Sequence, residues 1–133
     1  MLHFRRIRRG DVAGVLPLLV PHASPELGAL LRRQLRASLH SHSATLVVIA
    51  IDSERDRATT DVTVGVAVLH RVFVLSTTRD AMVGMLSIRV QEDLGEWQSA
   101  PVYEALRDEM SRRVAEERWA CAIEEIGEEL TFV

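Results

Sequence analysis

The sequence predicts a single α/β domain, residues 1–133, with a mixed, mostly antiparallel sheet flanked by helices. Three observations carry that expectation. Apolar, β-branched runs such as TLVVIAI and VTVGVAVLH read as strands. Amphipathic segments with clear starts, SPELGALLRRQLRASLH and PVYEALRDEMSRRVAEERW, read as helices. Their order, β-α-α-β-β-β-α-β, sets a run of antiparallel strands before one helical crossover, which makes the sheet mixed.

Composition narrows the classes. At 133 residues, 47% hydrophobic and 26% charged, the chain is long enough for one hydrophobic core. No apolar run nears the ~18 residues of a membrane span. MLHFRRIRRG lacks the apolar stretch of a secretory signal. A cytoplasmic protein without membrane association is therefore expected. One cysteine, Cys121, allows no internal disulfide, and in WACAI it is expected to be an inert strand residue. All sixteen basic residues are arginine, which removes lysine chemistry such as a Schiff base.

The net charge of −3 is unevenly spread. Residues 1–60 carry +4 and residues 61–133 carry −7. The basic part is FRRIRRG plus Arg32, Arg33 and Arg36, with only Phe4 as an interleaved aromatic. A solvated polar face explains it better than a nucleic-acid site, which would want stacking platforms.

Taken in order, LHFRRIRR is a strand with Phe4 and Ile7 as apolar contacts. Asp11 is placed to cap a helix from Val12, whose apolar face is Val12, Val15, Leu16 and Leu19. Pro17 should kink that helix or end it early. The second helix starts with Ser24 as N-cap, Pro25 at its first position and Glu26 at the positive end of the dipole. Leu27, Leu30, Leu31, Leu35 and Leu39 form its expected buried stripe. Residues 45–51 are a central strand, 62–76 and 81–90 a hairpin around STTRD, and DSERDRATTD a polar loop. A helix over 101–119, with Pro101 in its first turn, leads to a strand at 121–126. ELTFV is a further short strand or a tail.

This order and these segments resemble the GNAT superfamily of acyl-CoA-dependent N-acyltransferases. IRRGDVAGVLPLL is similar to the family's first strand and Asp-capped helix. VGVAVLH is similar to its V-G-x-x-x-L third strand, and MLSIRV to its L-x-V fourth strand. VYEALRDEMSRRVAEERWACAIEE is similar to its third helix and fifth strand. The resemblance covers nearly the whole chain. It implies transfer of an acyl group from acetyl-CoA or another acyl-CoA to an amine, with no metal. It implies that CoA lies where the fourth strand splays from the fifth, held by backbone groups of Ile88 and Val90 and by the turn that contains Gly95.

The turn departs from the family's (Q/R)-x-x-G-x-(G/A). QEDLGEWQSA, from Gln91 to Ala100, lacks paired small residues and carries Glu92, Asp93 and Glu96. Amides at a helix N-terminus attract phosphate, whereas carboxylates beside it repel it. Arg89 and Arg107 offset this if they point inward. The catalytic tyrosine often found near the family's C-terminus has no counterpart, since the only tyrosine, Tyr103, sits in the third helix. No acid on AMVGMLSIRV supplies a general base, and the catalytic residues are not assigned. The chain ends at Val133, so the fifth strand is expected to be an open edge that pairs with a second copy or a partner chain. The expectation is therefore a GNAT-like protein with weak or lost CoA binding and catalysis. The alternative is a noncatalytic interaction or dimerisation module. His40 and His42 are spaced for one face of a strand but lack further ligands, so metal is not expected. His70 is the one histidine within a strand that would face the cleft, and a packing role is the simpler reading.

Overall fold

A computed structural model describes residues 2–22, 24–39, 45–52, 62–72, 83–91, 96–117, 121–126 and 129–133. The elements are β1 (Leu2–Arg6), α1 (Val12–Leu19), α2 (Pro25–Ala37), β2 (Thr45–Asp52), β3 (Val62–Val72), β4 (Val83–Val90), α3 (Glu96–Glu116), β5 (Cys121–Ile126) and β6 (Glu129–Phe132). The strands form one sheet in sequence order, β1-β2-β3-β4-β5-β6. Every neighbouring pair is antiparallel except β4–β5, which is parallel because α3 carries the chain back across the sheet.

Two cores follow from strand alternation. β2 is apolar at every position from Leu46 to Ile51 because both of its faces are covered. Leu46, Val48 and Ala50 face α3, with Leu106, Met110 and Val114 of that helix. Val47, Ile49 and Ile51 face α1 and α2, with Val12, Val15 and Leu35. Phe4 and Ile7 pack on opposite faces, as their spacing requires. The β2–β3 ladder shifts register between Ala50 and Ile51, which face Gly65 and Thr63. Val64 is thus an extra residue, a bulge that re-aims the far end of β3.

Asp11 does not cap α1. A 3-10 turn at Arg9–Asp11 precedes the helix, and the carboxylate reaches back to the Arg8 N–H at 2.7 Å. Its oxygens also accept from both terminal nitrogens of Arg5, one of them at 2.8 Å. Burial pushes the Asp11 pKa up, but the Arg5 hydrogen bond, the Arg8 N–H and both guanidinium charges outweigh it and hold the group below its ordinary value. Ser24 behaves as expected and accepts from the Leu27 N–H at 3.3 Å. α1 ends at Leu19, two residues beyond Pro17.

Four expectations need correcting. Leu27 and Leu30 are 41% and 47% exposed, so the stripe on α2 is buried only toward its C-terminal end, at Leu35. The C-terminal half of α2, from Leu31, lines a cavity against the sheet. α3 begins at Glu96 and not at Pro101, which lies inside the helix. Proline there removes one N–H, the one that would reach the carbonyl of residue 97, and a single lost bond does not stop a turn from forming ahead of it. Residues 96–100, expected in the turn Gln91–Ala100, are therefore helical, and residues 92–95 lie outside the described residues. β6 pairs along β5 from Ile123↔Phe132 to Ile126↔Glu129, so β6 and not β5 is the outer strand. The hairpin tip at STTRD, the DSERDRATTD loop, His40 and His42 lie outside the described residues.

Candidate functional site

The parallel β4–β5 ladder runs only from Val83↔Cys121 to Leu86↔Glu124. β4 continues to Val90, still paired with β3 as far as Gly65↔Val90. From Ser87 onward, β4 has no pairing on its β5 side among the described residues. Amides alternate in direction along a strand. The Gln91 N–H donates to the Val64 carbonyl of β3 at 2.9 Å, so the backbone groups of Ile88 and Val90 point the other way, into the gap. Gln91, at the mouth of the gap, has a buried Oε1 with no described donor.

The gap is fixed by an ion pair. Arg107 of α3 donates through Nε to Glu124 Oε2 at 3.1 Å and through Nη2 to the Phe132 carbonyl at 2.9 Å. Glu124 is 4% exposed, and burial pushes its pKa up. The pair sits at the last β4–β5 contact. Arg107 thus ties α3, β5 and β6 together where β5 leaves β4. Arg89 is solvent-exposed. Glu92, Asp93 and Gly95 lie outside the described residues, and Glu96 contributes only its place at the start of α3.

On the other face, α1, α2, β2, β3 and β4 line a cavity of about 570 Å³ that opens to solvent at Gln34, His70 and Ser87. Leu19, Leu31, Leu35, Val47 and Val68 give it apolar walls. His70 of β3 lines it, with Nδ1 at 2.8 Å from Thr45 Oγ1 of β2. The two residues are directly opposite in the β2–β3 ladder. Ser87 also lines it, and Ser87 is the first β4 residue past the last pair with β5. Cavity and gap therefore meet at Ser87.

No protein-family model matches the sequence, and no curated protein matches it. Solved structures do. A protein assigned to the GNAT acetyltransferase family from Desulfovibrio desulfuricans superposes with TM-score 0.66 at 16% identity, over 95% of this chain and 73% of its own. An acetyltransferase assignment from Clostridium acetobutylicum, solved with acetyl-CoA, gives TM-score 0.70 at 12% identity, over 95% and 81%. The chain has the GNAT fold. An aminoglycoside 6′-N-acetyltransferase from Acinetobacter baumannii shares that GNAT fold at TM-score 0.65 and 10% identity, over 96% and 80%.

Within the GNAT fold, Ile88 and Val90 lie on the stretch of β4 that pairs with β3 but has no β5 partner among the described residues, while Gly95 falls outside the described residues. Tyr103 is half-buried against the α3-side core. Three features were missed in the sequence: Thr45 as partner of His70, Ser87 at the junction, and the Arg107–Glu124 pair. Ser87 carried a signal, as the uncharged polar residue at an alternating position of β4. The other two depend on register, which sequence does not print. Among the described residues no three His, Cys, Asp or Glu side chains gather as a metal site, and no helix is long and apolar enough to cross a membrane.

Proposed function

We propose that the chain is an acyl-CoA-dependent N-acyltransferase in which the pantetheine arm, more than the nucleotide end, supplies donor affinity. The observation that supports this reading is the gap beyond Leu86↔Glu124, into which the backbone groups of Ile88 and Val90 point. Amides of a pantetheine arm fit those groups. The other end fits less well. Glu92, Asp93 and Glu96 bracket the turn that would take the pyrophosphate, and each like-charge contact at ~4 Å costs about 1 kcal/mol even in water.

Acetyl-CoA and S-acetyl-pantetheine should therefore bind with affinities within about tenfold of each other, a gap of ~1.4 kcal/mol. Calorimetry measures both, and Tm should climb with either ligand. Val90→Pro removes an N–H on the gap side and spares the β3 ladder, so it should weaken both ligands more than it lowers Tm. No binding of either ligand at millimolar concentration would sink the reading.

The open edge supports a second role compatible with the first. β6 is an outer strand, and Phe132 on it is 75% exposed. Exposed edges pair with other chains, and we infer a homodimer that joins two β6 edges. Light scattering should report a dimer that Phe132→Lys converts to monomer. A monomeric wild type removes this inference.

A further inference from the structure

The cavity beneath α2 has a chemistry of its own. Its walls are aliphatic, and its polar groups come from two sides: Thr45, His70 and Ser87 from the sheet, and Gln34 and Ser38 from α2 and its C-cap. Among the described residues, no aspartate or glutamate lines it. A polyamine or an aminosugar would lay several charges or hydroxyls against the aliphatic walls, where they leave water without partners. An apolar body with a single amino group fits both the walls and the polar end. Its volume, about 570 Å³, lies within the ~300–1,000 Å³ typical of small-molecule sites.

His70 is set at that polar end. When its Nδ1–H donates to Thr45 Oγ1, Nε2 is the nitrogen with a lone pair. His70 pairs with Met85 across β3–β4, and Val68 pairs with Ser87, so His70 and Ser87 are diagonal neighbours on one face. Such neighbours lie about 7–8 Å apart. An amino group between them would lie beside the end of the gap.

Resting on the acyl-transfer reading above, we propose that this cavity takes a primary amine on an apolar body and that His70 receives its proton. The amine nitrogen forms the new bond to the acyl carbon as the carbon–sulfur bond breaks. One N–H proton goes to His70 Nε2, and the departing thiolate leaves as thiol after taking a proton back through solvent. Thr45 is a positioning residue that orients the imidazole through its Oγ1 contact with Nδ1.

The test has two arms on the intact protein. In the first, without donor, benzylamine, hexylamine and spermidine are titrated while the His70 ring signals are followed by NMR. Benzylamine and hexylamine should shift them saturably, and spermidine should not. In the second, thiol release from acetyl-CoA is measured with benzylamine. His70→Gln should lose about 10²-fold or more in kcat/KM while acetyl-CoA binding stays within twofold. Thr45→Val should share much of that loss, and Thr45→Ser should restore it. Full turnover by His70→Gln, or selective spermidine binding, overturns the proposal and leaves the donor reading intact. Amine binding without any acetyl-CoA binding overturns the acyl-transfer reading and His70's role together.

Discussion

Leu106→Ala should destabilise the protein by about 3–4 kcal/mol, because the side chain is fully buried under α3 and its loss leaves a cavity. Gly65→Ala should cost about 1–3 kcal/mol for the opposite reason. A Cβ at Gly65 would lie 2.7 Å from Leu106 Cδ1 and 3.2 Å from Val102 Cγ1. β3 carries glycine there because α3 approaches it too closely for any side chain. The two changes should not add. In the double variant the methyl group added at Gly65 takes space that Leu106 gave up, so the total cost should fall short of the sum by about 1 kcal/mol or more. Urea unfolding of the four proteins measures this. Strict additivity would show that the close approach of α3 to β3 is not what the glycine serves. Loosening this contact also loosens α3 near the end of β4, so the Gly65→Ala variant is the one to assay for weaker acetyl-CoA binding.

That glycine explains why so much of the fold was legible. V-G-x-x-x-L on a strand, a double-sided apolar run at residues 45–51 and a helix with Val102, Leu106, Met110 and Val114 on one side are local patterns with tertiary causes. Each states which face is covered. The helix ends were less legible. Asp11 has the right position for an N-cap, yet Arg5 lies across the chain reversal and draws its carboxylate away. Pro101 marks where a helix can begin, but one missing N–H does not prevent a turn before it. The leucines of α2 have helical spacing along their whole length, and spacing cannot say how far the sheet extends beneath them.

The site was legible in proportion to how local it is. The end of β4 at Val90 shows in the sequence, whereas a role for Ile88 and Val90 comes only from the resemblance. The cavity does not follow, because its lining is drawn from α1, α2 and three strands that only the tertiary fold brings together. The His70–Thr45 contact spans 25 positions and depends on the register of β2 against β3. A one-residue slip would put the two side chains on opposite faces. Glu124 reads locally as one more acid in an acidic C-terminal half. Only the ladder shows that it faces α3 beneath a guanidinium.

Arg107→Leu should cost about 3 kcal/mol at pH 8. Removing one partner of a buried ion pair costs ~3–5 kcal/mol, and the lower end applies because the arginine side chain is 29% exposed. The loss should depend on pH in a direction set by Glu124. Burial raises its carboxyl above the ordinary 4.5, so the folded state holds its proton more tightly than the unfolded chain does. Stability from such a group is present below 4.5 and is lost as pH rises through the folded value. Without Arg107 the folded value rises further, so the deficit of the variant should be greatest at pH 8 and shrink toward pH 4.5. Urea unfolding across that range gives the comparison, and a deficit equal at both ends would show that the buried charge is not the cause. Two further variants separate charge from packing. Glu124→Gln keeps an acceptor for Arg107 and removes the buried charge, so it should be at least as stable as wild type at pH 8. Arg107→Leu with Glu124→Leu replaces the pair by apolar contact and should recover most of the loss. Even the stable double variant should bind acetyl-CoA less well than wild type. The guanidinium also holds the Phe132 carbonyl, and losing that tie frees the point where β5 parts from β4.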